Sequence, residues 1–164
     1  MAYAMPSSKF FELINAGNSS WLPKRISTSL VINSLKESLW RSTQNKSDKV
    51  KAIIYPHLFG NISDMQYIQK FCEEKNIKLI EDACQSFGAN RNGQYAGTYG
   101  DVSTLSFNAN KPVAGLAGGG AFLTDNKEEA NLVRKLRRHG NNEVLGYNSK
   151  MLAINAEFIN FRMD

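Results

Sequence analysis

Two residues of the sequence, Asp82 and Lys111, have the side-chain types of a pair that could do chemistry together. Lys111 lies in SFNANKPVAGLAGGG (106–120), where no acidic residue could pair with its charge, and Asp82 ends the apolar run IKLIED (77–82). A lysine in a poorly hydrated pocket loses its proton more easily, and the neutral amine is a nucleophile and a general base. A lysine for the aldehyde and a carboxylate for the ring nitrogen are what pyridoxal phosphate requires when its ring takes up the electrons of a carbanion.

Each of these residues also has an ordinary structural interpretation. A single lysine beside glycines is more often a surface loop residue than a catalytic one. A carboxylate at the end of a strand is more often a helix cap or a member of an ion pair. The glycines at 118–120 could let the backbone pass close to a flat cofactor. The pair is therefore informative only if the fold brings Asp82 and Lys111 together.

The elements that must position the pair alternate between strand and helix patterns. This alternation predicts an α/β domain in which layers of helices pack on a mainly parallel sheet. Ligands gather at the carboxyl ends of the strands in such sheets, so Asp82 and Lys111 should meet at one edge. The strands are predicted near 50–55, 77–81, 102–107 and 120–124, and the helices near 34–43, 64–75, 126–138 and 150–162.

Local signals support these boundaries. They are of three kinds: acidic or capping-box residues at helix starts, left-handed or glycine stops at helix ends, and a turn. The residues are Ser34 with Glu37, Ser63 with Gln66, Asp125 with Glu128, Asn76, Gly140 and the turn NRNG (90–93).

Composition and charge exclude several classes of protein. Of 164 residues, 42% are hydrophobic and 21% are charged, which is ordinary for a globular domain. No apolar run is long enough to span a membrane, and the N-terminus lacks a signal-peptide pattern. The net charge is +5, but the densest basic run, RKLRRHG (134–140), ends a predicted helix, where cations complement the helix dipole. Nucleic acid is therefore not an expected partner.

The remaining reactive residue types do not form a recognised motif. Cys72 and Cys84 are the two cysteines, and their settings favour reduced thiols in a cytosolic protein over a structural disulfide. His57 and His139 have no cysteine or histidine at metal-binding spacing, so no metal site is expected. Lys111 is followed by proline where a Walker loop requires serine or threonine.

From about Leu30 to its end, the chain resembles the DegT/DnrJ/StrS family of pyridoxal phosphate-dependent nucleotide-sugar aminotransferases. The phrases follow the family's order and spacing, including the separation of Asp82 from Lys111. The matching phrases are VKAIIYPHLFGNISDM (50–65), IKLIEDACQSFGA (77–89), NGQYAGTYGDVSTLSFNANK (92–111), GGGAFLTD (118–125), VRKLRRHG (133–140) and GYNSKMLAINAEF (146–158).

The resemblance implies a fold and a set of residue roles. The fold is the large domain of a fold-type-I pyridoxal phosphate transferase, a three-layer α/β sandwich with a mainly parallel, mixed sheet. Lys111 would form the Schiff base with the cofactor, Asp82 would pair with the pyridine nitrogen, and Gln85 would contact the ring hydroxyl. Ser106 would bind the cofactor phosphate, and Asn148 would reach the phosphate in the other subunit of a homodimer. Gln85 and Ser106 could instead be ordinary loop and strand polar residues, and Asn148 could cap the last helix.

The sequence also departs from the family pattern. Gly118 stands where the family often has an acid, Lys150 where it has arginine, Leu152 where it has an acid, and Ala109 where proline is common. Residues 1–29 match poorly, and the Gly-Thr phosphate-binding turn, the aromatic residue that stacks on the ring and the small C-terminal domain have no counterpart. Residues 1–164 are therefore expected to form a partial pyridoxal phosphate-binding large domain that binds the cofactor weakly by itself.

Three functions follow from these observations. The first is a cytoplasmic aminotransferase that moves an amino group, from glutamate, to a nucleotide-linked keto-sugar, as in cell-surface polysaccharide or amino-sugar biosynthesis. The second is a non-catalytic remnant or interaction module that keeps the fold. The third is a pyridoxal phosphate-dependent sugar dehydratase, and Lys111 counts against it because such relatives have histidine there. The sequence leaves open which sugar, which nucleotide and which carbon are involved.

Overall fold

The structure is a computed structural model that describes residues 4–5 and 50–163. Strands and helices alternate through most of this range, as the sequence pattern predicts. The strands are β1 (Ala4–Met5), β2 (Ala52–Pro56), β3 (Lys78–Asp82), β4 (Asn90–Arg91), β5 (Gln94–Tyr95), β6 (Val102–Ser106) and β7 (Gly120–Thr124). The helices are α1 (Met65–Lys75), α2 (Lys127–Leu136) and α3 (Ala153–Met163), and the predicted helix at 34–43 lies outside the described residues.

Five strands form one mixed sheet in the order β1-β7-β6-β3-β2. β2, β3 and β6 run parallel, β7 runs antiparallel to β6, and β1 pairs in parallel with β7. The mainly parallel sheet of an α/β domain is thereby confirmed. Since β3 and β6 are parallel neighbours, with Asp82 opposite Thr104, their carboxyl ends lie at the same edge.

Specific residues at each end set the bounds of helix α1. The side chain of Asp64 accepts a hydrogen bond from the N–H of Tyr67, and Asn76 ends the helix in the left-handed conformation, as predicted. The predicted capping box at Ser63 is wrong, because Ser63 instead accepts a buried hydrogen bond from the hydroxyl of Tyr55 at 2.6 Å. A cap must stand next to the first helical residue, and Asp64 holds that place.

The later elements also differ from prediction at their ends. Asn126, and not Asp125, caps α2 by accepting from the N–H groups of Glu128 and Glu129. The helix ends at Leu136, before the predicted stop at Gly140, which lies in a 3₁₀ turn with φ of 69°. Helix α3 begins at Ala153 and not at 150. The predicted NRNG turn is present and joins β4 to β5.

The two faces of the sheet carry different residues because strand side chains alternate. Leu79 and Glu81 lie on the buried face, where Leu79 joins Met65 and Ile68 of α1 in the hydrophobic core. Each fully buried apolar side chain of this size contributes roughly 1.5–3 kcal/mol. On the opposite face, Ile54 is 68% exposed. We call these the closed face and the open face. Within the described ranges, no helix is long and apolar enough to cross a membrane.

Candidate functional site

Asp82 is the last residue of β3 and points to the open face, one position after the buried Glu81. Its side chain is half-buried, and Oδ1 accepts a hydrogen bond from the backbone N–H of Cys84 at 3.1 Å. No other backbone donor to this carboxylate lies among residues 50–163. The carboxylate therefore keeps acceptor capacity for a group outside the protein.

The thiol of Cys84 lies near enough to both Asp82 and Lys111 for their charges to affect it. Burial raises the pKa of the Cys84 thiol above its ordinary value, and the hydrogen bond with Asp82 raises the pKa further. A hydrogen bond to Thr104 and the positive charge of Lys111 act in the opposite direction. Both charged groups are thus close enough to Cys84 to affect the thiol. That Asp82 and Lys111 act together in one site stays a prediction.

Lys111 itself follows β6 at the end of a short turn. Its backbone N–H donates to the carbonyl oxygen of Asn108 at 2.9 Å, which closes the turn, and its side chain is half-buried. Ser106 ends β6, and its hydroxyl oxygen accepts from the N–H of Asn108 at 3.3 Å. The Ser106 hydroxyl hydrogen is still available to donate. The last residue of β6 thus carries a hydroxyl donor, and the turn that follows the strand carries an amine.

Gln85 lies three residues beyond β3 and is bound on its oxygen side. The backbone N–H of Phe59 donates to Oε1 of Gln85 at 3.0 Å. An N–H can only donate, so the amide oxygen must be the atom that faces Phe59. The amide nitrogen of Gln85 is therefore the part left to donate to a ligand.

Asn148 occupies a different part of the chain. It forms an isolated antiparallel bridge with Arg138, just beyond α2, and its side chain is exposed. The flanking N–H of Ser149 donates to the carbonyl of Arg137 at 3.1 Å. Because α3 begins only at Ala153, Asn148 does not cap that helix.

The glycine-rich segment after Lys111 is organised by Asn155, a residue that the sequence analysis missed. Asn155 is buried on α3, its Oδ1 accepts from the N–H of Ala117 at 3.2 Å, and its amide nitrogen donates to the carbonyl of Gly118. A Cβ on Gly120 would lie 2.6 Å from the carbonyl oxygen of Leu105. These contacts show that the glycines allow close packing within the chain. The only sequence signal was an asparagine among the apolar residues of the last helical pattern.

A second missed feature is the buried polar cluster on the closed face. Glu81 is 0% exposed and His57 is 1% exposed, with 2.7 Å between Oε2 of Glu81 and Nε2 of His57. Burial and then the negative charge of Glu81 raise the pKa of the neighbouring Tyr99 hydroxyl. A signal was available in the sequence: two consecutive acids at a strand end must place one of them on the buried face.

A cavity of about 520 Å³ lies beside this edge of the sheet. It is mainly apolar and opens between β6, β7 and the segment that leads into α3. Its lining is Thr104, Leu105, residues 117–122, residues 149–152 and Asn155. Across the described part of the chain, no group of histidine, cysteine or acidic residues could hold a metal ion.

Comparison with known proteins identifies the same family over most of the chain. The sequence profile of the DegT/DnrJ/EryC1/StrS aminotransferase family matches residues 32–164. A dTDP-3-amino-3,4,6-trideoxy-alpha-D-glucose transaminase from Micromonospora megalomicea subsp. nigra is 35% identical over 117 residues, which are 68% of this chain and 31% of the relative. The chain spans about a third of the length of the curated relatives it matches.

Solved structures of similar proteins have the same fold. A DegT DnrJ EryC1 StrS aminotransferase from Brucella abortus superposes with a TM-score of 0.73 at 29% identity, covering 80% of this chain and 37% of that one. The protein ntda from Bacillus subtilis, solved with bound cofactor PMP, superposes with a TM-score of 0.60 at 38% identity. That match covers 69% of this chain and 27% of the other.

Proposed function

The chain belongs to the DegT/DnrJ/EryC1/StrS aminotransferase family, and on that premise we propose that it is the cofactor-binding part of a pyridoxal phosphate-dependent sugar aminotransferase. The reaction would transfer an amino group, with glutamate as donor, to a keto-sugar carried on a nucleotide. The observation that carries this proposal is that Asp82 ends β3 and Lys111 follows β6, two parallel neighbours whose carboxyl ends share one edge of the sheet. The amino-sugar transaminase named above supports the substrate class.

The side chains at this edge fit the functional groups of pyridoxal phosphate. Asp82 has a carboxylate with spare acceptor capacity, which suits a protonated ring nitrogen. Gln85 retains an amide donor, which suits the ring hydroxyl, and Ser106 retains a hydroxyl donor, which suits the phosphate. Lys111 supplies the amine that an aldehyde requires. When bound, the cofactor would supply an electron sink for the substrate carbon that loses its proton.

The residues of the chain would bind the cofactor and move protons. Lys111 would first hold the cofactor through its Nζ, then act as a general base and acid that takes a proton from one carbon and returns it to another. Asp82 would keep the ring nitrogen protonated, because a carboxylate beside a cation favours the charged form. Gln85 would hold the ring hydroxyl oxygen. The half-buried position of Lys111 would limit the access of water to the amine.

A second copy of the chain would complete the site in a homodimer. Asn148 would reach the phosphate bound to the partner, because it is exposed and lies in a separate part of the chain from Asp82. The same segment carries large exposed apolar side chains, which is typical of a surface that another chain covers. They are Leu145 at 89% exposure, Tyr147, Leu152 and Ile154.

The proposed location of the protein is the cytoplasm. Cys72 and Cys84 are both free thiols in the structure, as expected in a reducing compartment. Fractionation of cells that produce the protein tests this proposal, and recovery outside the cytoplasmic fraction would contradict it.

Borohydride reduction followed by peptide mapping tests the proposed function. The chain is incubated with pyridoxal phosphate, both as given and within any longer reading frame that contains it, and borohydride then makes the lysine–cofactor link permanent. In the longer form the label should lie on Lys111 and disappear in Lys111→Ala, whereas Lys150→Ala, which removes an exposed lysine, should keep it. The chain as given should be labelled weakly and without preference for one lysine. In the longer form, Lys111→Ala should also abolish amino transfer. Specific labelling at another lysine, or turnover by Lys111→Ala, would show that the proposal is wrong.

A further inference from the structure

The carboxylate of Glu81 is saturated with hydrogen bonds inside the closed face. Oε1 accepts from the N–H groups of Tyr99 and Gly100, both at 2.6 Å, and Oε2 accepts from the N–H of Gly97 at 2.9 Å. The ring of His57 supplies the fourth contact at 2.7 Å. One buried side chain thus binds the loop 97–100 and the residue that follows β2 to the centre of the sheet. An ionised carboxylate suits this set, because every backbone partner is a donor.

His57 is held to β3 at two points. Its backbone N–H donates to the carbonyl of Asp82 at 3.0 Å, and its ring reaches Glu81. The other ring nitrogen, Nδ1, is buried and has no hydrogen-bond partner. A buried polar atom without a partner destabilises the fold, so an apolar ring at this position would pack at a lower cost. The contact between the His57 ring and Glu81 is therefore the feature that distinguishes histidine here. The two contacts tie to β3 the residue that comes directly before the next turn.

That turn, the 3₁₀ segment Leu58–Gly60, delivers the hydrogen bond that orients Gln85. Phe59 has φ of 55° and ψ of 27°, a left-handed conformation that non-glycine residues adopt at a cost. Its N–H points to Oε1 of Gln85 in this conformation. The strained residue lies two positions after His57, so the ring contact and the Gln85 contact belong to one short stretch of backbone.

We propose that the His57–Glu81 pair is a positioning device for the candidate cofactor site: it holds the 58–60 turn so that Phe59 fixes the amide of Gln85 with its nitrogen facing the ligand. This inference rests on the proposed function for the identity of the ligand. The mechanical part, from His57 through Phe59 to Gln85, concerns only the chain itself. Glu81 and His57 touch no ligand in this arrangement and act through Gln85.

Hydrogen exchange measured by NMR on the chain without cofactor tests the mechanical part. His57→Phe removes the ring donor and should speed exchange at the Phe59 amide by roughly tenfold. His57→Gln, whose amide nitrogen can reach Glu81, should restore most of the protection. Tyr55→Phe is the matched control, because Tyr55 lies in β2 two residues before His57 and the change removes its buried hydrogen bond to Ser63. This variant should leave exchange at Phe59 unchanged. If His57→Phe leaves Phe59 exchange unchanged, the inference is wrong, whatever the ligand.

A ligand without an aldehyde tests whether the pair acts through Gln85. The probe is 4-deoxypyridoxine 5′-phosphate, whose absorbance reports ionisation of the ring hydroxyl. A donor from Gln85 favours the ionised oxygen, so His57→Phe should move the absorbance midpoint of the bound probe upward by roughly half a pH unit. In a Gln85→Met background the same substitution should have no further effect, whereas a merely structural role would stay additive. Additive shifts would overturn the inference. This measurement uses a longer form of the protein that contains the chain, because the chain by itself is expected to bind the cofactor weakly. A probe that does not bind to that form would contradict the proposed function, and the exchange experiment would still decide the inference.

Discussion

Glu81 and Asp82 are consecutive acids of one strand, yet their surroundings differ because they lie on opposite faces of the sheet. Glu81 is fully buried and accepts four hydrogen bonds, three of them from backbone N–H groups. Asp82 is half-buried and accepts one from the backbone, at Cys84. The strand thus gives one carboxylate to the closed face and the other to the open face.

Because their surroundings differ, Glu81 and Asp82 are suited to different roles: Glu81 to stabilising the fold and Asp82 to binding a ligand. A carboxylate whose lone pairs are all used inside the protein can hold segments in place but cannot bind a ligand. A carboxylate with spare capacity at the carboxyl end of a parallel strand has the opposite property, and such ends are where ligands bind in α/β sheets. We therefore expect substitution of Glu81 to act mainly on unfolding, and substitution of Asp82 to act mainly on ligand binding.

The largest effect is expected at Glu81. Glu81→Gln replaces one oxygen with an amide nitrogen that must face a backbone N–H, so it leaves buried donors unpaired. The free energy of unfolding should fall by on the order of 3 kcal/mol. Asp82→Asn, the matched change on the open face, should alter it by less than about 1 kcal/mol. Urea denaturation of both variants measures the difference.

Glu81→Gln and Asp82→Asn should also differ in ligand binding, where Asp82→Asn should have the larger effect. Asp82→Asn should weaken binding of pyridoxal phosphate or of its reduced analogue, because a neutral amide cannot keep the ring nitrogen protonated. Equal losses of stability in Glu81→Gln and Asp82→Asn would contradict the division of the strand into two faces.

The sequence predicts the open face better than the closed one, and the reason is physical. The spacing of apolar residues along a strand or helix depends only on nearby sequence. The order of β2, α1, β3, β6 and β7 could therefore be predicted. The meeting of Asp82 and Lys111 follows from one rule about parallel strand ends. Roles of individual side chains at this edge, such as that of Ser106, remain predictions.

The two consecutive acids signal that one of them is buried, but the partners of Glu81 could not be predicted because they come from distant parts of the chain. Glu81 is joined by His57 and by the loop 97–100, which returns to β3 only after the β4–β5 hairpin has closed. Neither the sequence around His57 nor the loop 97–100 has a pattern that would predict hydrogen bonds to a buried carboxylate. Local competition explains the smaller error at α1, where Asp64 and Ser63 are adjacent capping residues and Tyr55 binds Ser63.

The next effect is expected at Gly97, which donates its N–H to Glu81. It has φ of 91°, and a Cβ there would lie 3.1 Å from Oγ of Ser103. Gly97→Ala should lower the free energy of unfolding by about 2 kcal/mol, from backbone strain and crowding together. Gly93→Ala is a matched control with φ of 87° and open space around its Cβ, and should cost about 1 kcal/mol. Thermal or urea unfolding compares the two, and an equal cost would mean that the closed face tolerates the extra methyl group.

A smaller effect is expected at Asn155 of α3, which lies outside the cluster around Glu81. Asn155→Ala removes the hydrogen bonds to Ala117 and Gly118 and should lower the free energy of unfolding by about 1.5 kcal/mol. Hydrogen exchange at Ala117 should speed up at the same time. Asn160→Ala changes an exposed residue of the same helix and should have little effect. If both variants unfold alike, α3 does not hold the glycine-rich segment through Asn155.

The smallest effect is a pH dependence at the opposite end of the strands, where Asp101 meets Lys78. Burial raises the pKa of Asp101, but the hydrogen bonds from Lys78 at 2.5 Å and from the N–H of Leu79 outweigh it and hold that pKa below its ordinary value. A carboxyl group whose pKa is lowered by folding contributes stability above its unfolded value of about 4, and loses it as the pH falls through the folded value. Since the pair is largely exposed, the contribution is below about 1 kcal/mol and should shrink in salt.

Asp101→Asn should therefore be less stable than the unmodified chain at neutral pH, and the gap should close as the pH falls below about 4. Urea denaturation between neutral and acid pH, at low and high salt, measures the gap. Glu157→Gln removes an exposed charge from α3 and controls for the change in net charge. A gap that stays constant with pH would mean that the Asp101 carboxylate acts only through its shape. If Asp101→Asn lowers the free energy of unfolding as much as Glu81→Gln does, then a half-exposed carboxylate stabilises the fold as much as a fully buried one. Burial and saturation with hydrogen bonds would then not explain the large effect expected at Glu81.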